Sequence, residues 1–174
     1  MSDTLITIIA IFLAAVLMFV FPLMAVSSNQ EDVAQLAATE ATQEFVNKAA
    51  TKGKITQDDY DAYVQTLGAT GNTYDIKIEV QHLDENPGKK TSATSGDMVG
   101  ENVRYSSFTD EILKGIEDNN GTYSLSKGDN VIVTVNNTNT TLAQLLRNFM
   151  YKVTGSDTYQ IGASASALVV SNGK

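Results

Sequence analysis

The chain contains no cysteine and no tryptophan, only two prolines, a single histidine, and no lysine or arginine before Lys48. Each gap excludes something. Without cysteine there is neither a disulfide framework nor a thiolate metal site, and cysteine content does not choose between compartments. One histidine, with no cysteine beside it, cannot make an ordinary zinc site. The shortage of basic residues extends to the whole chain, with 12 against 20 acidic ones and a net charge of −8. Nucleic-acid binding depends on Lys and Arg neutralising phosphates, so that class is excluded as a partner. Anionic headgroups repel such a chain too, and any membrane contact has to be apolar.

An apolar run is what the N-terminus supplies. From Leu5 to Val26 there are 22 uncharged residues, interrupted only by Thr7 and Pro22. At 1.5 Å per residue this helix spans roughly 33 Å, enough for a hydrocarbon core of about 30 Å. Fourteen of the positions are Leu, Ile, Phe or Val, among them Leu5, Ile9, Leu13, Leu17, Phe21 and Val26. They contribute roughly 4–8 kcal/mol toward insertion. A buried core helix and a cleaved secretory signal are the two alternatives. The tail Met1-Ser2-Asp3-Thr4 lacks the positive n-region of a signal, although Ala25-Val26-Ser27 offers small residues for cleavage. Residues 1–28 are therefore expected to be a transmembrane helix with a short tail. Lysine and arginine are absent from both flanks, so the positive-inside rule cannot orient it.

Pro22 removes one helical hydrogen bond and is expected to bend the helix near Met18–Pro22. Beyond it, Val33, Leu36, Ala37, Ala41, Phe45 and Ala49 recur at three- and four-residue spacing between acidic residues. This predicts an amphipathic continuation over 29–53, with Gly53 as its stop. Residues 54–174 are expected to form a soluble head. Thr56 caps a helix carrying Tyr60, Tyr63, Val64 and Leu67, with Asp59 as the acid of a capping box. Tyr74, Ile76, Ile78 and Val80 alternate with polar residues as a half-buried strand. The Gly/Ser/Thr-rich stretch 85–101, which includes Lys89-Lys90, is expected to be an exposed loop. A short helix spans 109–117, with Phe108, Ile112, Leu113 and Ile116 apolar, and Asn120-Gly121 turns the chain. Val131, Val133 and Val135 mark a second strand. Thr141 and Gln144 open a helix with the stripe Leu142, Leu145, Leu146, Phe149 and Met150. The alternation of Tyr159, Ile161, Ala163, Ala165, Ala167 and Val169 predicts a C-terminal strand, whose small residues admit close packing of the long helix. The fold class is α+β: a long N-terminal helix, transmembrane and then amphipathic, packed on a small antiparallel sheet with short helices.

No catalytic constellation is visible. His82 is expected at a strand end on the surface, beside Asp84 and Glu85, with no Ser–His–Asp arrangement around it. There is no phosphate-binding glycine loop. Asp118, Asn120 and Thr122 imitate part of a calcium loop without its Gly or distal Glu. The sequons at Asn120, Asn136 and Asn139 are matches that Asn-Thr-rich turns produce by chance. The expectation is a non-enzyme without metal or cofactor.

The layout resembles the type IV pilin superfamily: an acid near the start of an apolar helix, a proline at position 22, an amphipathic continuation and a small helix-plus-sheet head. The C-terminal run GDNVIVTVNN, TLAQLLRNFMYKV and YQIGASASALVV is similar to the TadE-like minor pilins of tight-adherence pili. The resemblance implies that the apolar helix holds the subunit in the membrane and then packs with neighbouring subunits as a filament core. Asp3 then pairs with a neighbour's N-terminal amine, Pro22 supplies the bend, and Ala10, Ala14, Ala15 and Ala25 permit close helix contact. The acid stands third rather than at the usual fifth position, and no basic leader precedes the apolar run, so a prepilin-peptidase site is not expected unless the chain is already mature. The implied partners are membrane lipid, other pilin-like subunits or the pilus assembly machinery, in a homo-oligomer or filament. The implied location is the cell membrane, single-pass, with an extracytoplasmic head. The other reading is a membrane-tethered binding or sensory domain displaying residues 85–101.

Overall fold

The computed structural model describes residues 2–83, 104–154 and 161–173, without the side chains of Ser2 and of 149–154. The expected loop 85–101 with Lys89-Lys90, and Tyr159, lie outside the described residues, as do the side chains of Phe149 and Met150.

One helix dominates. α1 runs unbroken over Ser2–Lys52, 51 residues that include Pro22, a length of about 77 Å at helical rise. It stops where expected: Gly53 has φ +68° and its N–H reaches the Ala49 carbonyl at 2.9 Å. β1 (Lys54–Thr56) and α2 (Gln57–Gly68) follow, with Thr56 Oγ1 accepting from the Asp59 N–H as N-cap. Then come β2 (Tyr74–Leu83), β3 (Arg104–Phe108), α3 (Thr109–Asp118), β4 (Thr122–Ser124), β5 (Asn130–Asn137), α4 (Leu142–Thr154) and β6 (Gly162–Leu168). The α3–β4 connection is a Schellman cap, with Asn120 left-handed at φ 51° and the Gly121 N–H on the Ile116 carbonyl at 2.9 Å.

The strands form an antiparallel four-stranded sheet ordered β3-β2-β5-β6, beside a two-stranded β1-β4 ribbon. Register aligns Ile78 with Val133 and Val133 with Ala165, so one sheet face carries Ile78, Val80, Val131, Val133, Val135, Ala163 and Ala165, all buried. The opposite face carries Lys77, Glu79, Thr134, Ser164 and Ser166, as the two-residue period requires. The soluble half of α1 packs across β5 and β6 on the buried face. The α+β class and the small-residue packing surface on β6 are both present.

The packing faces of two helices differ from expectation. On α1, Val33 and Leu36 are exposed, while Ala34, Ala38, Ala41, Thr42, Phe45, Val46, Ala49 and Ala50 are buried. A strand lined with alanines lets the helix come close, and that separation favours Ala34 and Ala38 over the larger Val33 and Leu36. On α4, Leu142 and Leu145 are exposed, and Ala143 and Gln144 are buried. Val64 of α2 and Phe108 are exposed as well, because Tyr63, Leu67, Ile112 and Ile116 already fill the core beside them.

Asp59 does not close a capping box. It joins α2 to the end of α1, with Oδ1 at 2.7 Å from Lys48 Nζ and Oδ2 at 2.9 Å from Lys52 Nζ. Burial alone would raise its pKa; hydrogen bonds from Lys48, Lys52 and Thr56 outweigh that and hold it at about 2, below the ordinary 3.8. The ionised form is therefore favoured by folding, and its contribution is present above the ordinary carboxylate range and lost as pH falls through about 2. Asp59→Asn is expected to cost at most about 1 kcal/mol at neutral pH, since solvent screens the exposed lysines. Acid titration followed by circular dichroism should show wild type and variant converging as pH approaches 2.

Nearby, Thr42 donates to the Ala38 carbonyl at 2.6 Å, so its oxygen is left to accept from the Tyr63 hydroxyl at 2.9 Å. Burial pushes the Tyr63 phenol up to about 12, and its ring stacks on Phe45 at 4.6 Å. The bond fixes the roll of α2 against α1.

Candidate assembly and membrane face

The N-terminal half of α1 makes no hydrophobic core. Phe12 is 69% exposed and Met18 74%, and Leu5, Ile9, Leu13, Leu17, Phe21 and Val26 are exposed with them. None of the most apolar stretch is buried inside the fold. It is the one helix among the described residues long and apolar enough to span a membrane, and it lies near the N-terminus. Thr7, the polar interruption, donates its hydroxyl to the Asp3 carbonyl at 2.7 Å, which suits a group leaving water. Asp3, Ala14, Ala15 and Pro22 are all exposed on this helix. Asp3 and Pro22 stand about 28 Å apart along the axis, so the four residues line a rod and do not converge on one point. Ala10 and Ala14, four residues apart, share a face.

Where the rod meets the head, a buried polar joint fixes the two together. Glu31 is buried, and its carboxylate accepts from Thr141 Oγ1 and pairs with Arg147 Nη2. One turn on, Gln35 brackets Gly162: its Oε1 accepts the Gly162 N–H at 2.9 Å and its Nε2 donates to the Gly162 carbonyl. Thr141 and Gln144 complete a reciprocal capping box at 3.1 Å in both directions, which orients the Thr141 hydroxyl. Glu31 belonged by spacing to the solvent face of α1, so sequence reasoning missed it. The available signal was Arg147, the only basic residue between Lys127 and Lys152, set in an apolar helix.

His82 is also not the surface residue its strand-end position implied. Its side chain is 14% exposed, with Nδ1 at 2.9 Å from Asp129 Oδ2 and Nε2 at 3.0 Å from the Tyr123 hydroxyl. Tyr105 lies against it at 5.0 Å. Buried Asp129 accepts further from the Ser126 N–H at 2.8 Å and the Leu83 N–H at 3.3 Å. Burial raises the Tyr123 phenol, and the group stays neutral at physiological pH. The chain Asp129–His82–Tyr123 uses both ring nitrogens to tie β2 to β4 and to the turn before β5. Among the described residues, no three His, Cys, Asp or Glu side chains gather as a metal site. The chain matches no family model, no curated protein and no solved structure.

Proposed function

We propose that this chain is a membrane-anchored structural subunit, pilin-like in organisation, that assembles through α1 into or with a surface filament or secretion pseudopilus. One observation carries the reading: the exposed apolar rod and the helix forming the spine of the head are one unbroken element, Ser2–Lys52. A plain tether works through any flexible linker. A subunit that must transmit its position in a filament to its head needs the rigid connection that the Glu31 and Gln35 joints supply. In this reading the span is single-pass, the head is extracytoplasmic, and lipid around residues 5–26 is replaced on assembly by the same segment of neighbouring copies. Ala10, Ala14 and Ala15 permit close approach, and Asp3 offers a carboxylate for a neighbour's amine, which offsets its desolvation.

Mechanical shearing of cells that express the chain natively tests this. The protein is expected in the released high-molecular-weight fraction as well as in the membrane. Its complete retention in membranes, under conditions that release surface filaments, would overturn the filament reading in favour of a tethered domain.

A further inference from the structure

Among the described residues the leucines at the start of α4 lie outside the buried core, and their position says what covers them. Leu142 is 54% exposed and Leu145 56%, three residues apart on one face. α4 is pinned to α1 through Glu31, by Thr141 in front of its first turn and Arg147 in its second. Glu31 lies five residues past Val26, about 8 Å beyond the end of the apolar run. Leu142 shares a hollow with Glu31, with Ser27 one turn of α1 nearer the apolar run, and with Thr70, Asn72 and Asn139. An adjoining groove is lined by Val26, Asn29, Val33, Thr66 and Ala69. The head therefore has an underside, level with the end of the spanning segment, built from the end of α2, the turns around 70–72 and 138–141, and α4.

Charge supports the same assignment. The head belongs to a chain of net charge −8, yet Ala62–Tyr74 and Asn130–Leu146 contain no Asp, Glu, Lys or Arg. An acidic domain resting on anionic lipid needs a neutral contact surface, because headgroup repulsion falls off within about a Debye length. The Asn and Thr side chains of these turns, with the exposed leucines of the first turn of α4 beside them, meet that requirement.

We infer that α4 lies in the interfacial plane of the bilayer, with Leu142 and Leu145 entering the boundary between headgroups and acyl chains. This rests on the reading that residues 5–26 span the membrane. The contact gives the head a fixed height and tilt on the bilayer before assembly, and extraction into a filament has to break it. A second copy is the rival occupant, but two leucines cover far less than the roughly 800 Å² per partner of a stable interface.

The cysteine-free chain allows a direct test on the full-length protein. Single substitutions Leu142→Cys, Leu145→Cys, Leu13→Cys and Glu117→Cys, the last at the far end of α3, are labelled with an environment-sensitive fluorophore. Each protein is reconstituted in phosphatidylethanolamine–phosphatidylglycerol bilayers, with retained secondary structure checked by circular dichroism. Quenching by phosphatidylcholine spin-labelled near its headgroup is expected at positions 142 and 145 and not at 117. Quenching by acyl-chain spin label at 13, with no quenching by the headgroup-region label at 142 or 145, overturns the inference and leaves the spanning reading intact. No quenching at 13 overturns both. Fluorescence at 145 that is insensitive to spin-labelled lipid, but falls with protein density in the bilayer, assigns the face to a second copy and also overturns the proposal.

Discussion

Glu31→Ala is expected to destabilise the full-length protein by about 3–5 kcal/mol, because it removes the buried carboxylate that holds both the Arg147 guanidinium and the Thr141 hydroxyl in a nearly dry site. Against a total stability of about 5–15 kcal/mol for a domain, this is a large fraction. The cost has two sources that a second variant separates. Burying a charge pair gives little net gain over apolar packing; breaking one half of the pair is what costs. The double variant Glu31→Ala/Arg147→Leu should therefore recover most of the loss, a coupling well outside the additivity expected of independent sites. Denaturant unfolding in detergent micelles, followed by circular dichroism, measures wild type, the single variants Glu31→Ala and Arg147→Leu, and the double variant. If the single variant lost less than about 1 kcal/mol, or if the double variant lost the sum of both single effects, the joint would not be the tie between stem and head described here.

The second large effect belongs to Gly53. Its φ of +68° disfavours any side chain by about 1–2 kcal/mol. The space is closed as well: a Cβ there would stand 2.2 Å from the Ser171 carbonyl oxygen and 2.7 Å from the Gly173 N. Those atoms belong to the C-terminal segment, which is stitched to the start of the head by the Gly173 N–H on the Leu125 carbonyl at 3.1 Å and the Leu125 N–H on the Gly53 carbonyl at 2.8 Å. Gly53→Ala has to displace backbone, and is expected to cost at least about 3 kcal/mol in all. Gly71 provides the control. It has φ +77° but open space around it, so Gly71→Ala isolates the conformational cost of about 1–2 kcal/mol. Equal losses at the two positions in thermal unfolding would mean that the C-terminal segment yields easily.

Sequence reasoning succeeded where the determining physics is local. The apolar run shows itself by composition, Gly53 by its place after a periodic segment, and Thr56 and Thr141 by their spacing from Asp59 and Gln144. The strands β2, β5 and β6 are visible because one face of each is buried and the period is two. The three-residue β1 and β4 are too short to show any period, and in β3, Arg104–Phe108, the side chains are exposed or half-buried, so no alternation forms. Apart from Asp59, which pairs with nearby Lys48 and Lys52 instead of closing a capping box, the errors concern partners distant in sequence. Which residues of α1 face the sheet is decided by the alanines of β6, more than a hundred residues away. Glu31 and His82 look like solvent-facing polar groups until Arg147, Thr141, Asp129 and Tyr123 are brought beside them. For Asp3, Ala14, Ala15 and Pro22, proposed to act in assembly, the fold supplies only exposed positions along one helix, and the proposed role depends on neighbours outside the chain.

Those neighbours are what the most direct measurement has to detect. Ala14→Cys places the chain's only thiol on the exposed rod, at a small-residue position where adjacent helices in a filament core approach closely. Mild oxidation of sheared surface material from cells producing this variant, followed by non-reducing electrophoresis, should give a disulfide-linked dimer that is absent from Glu117→Cys. A monomer-only result for Ala14→Cys, with the protein present in the sheared fraction, would contradict assembly through α1.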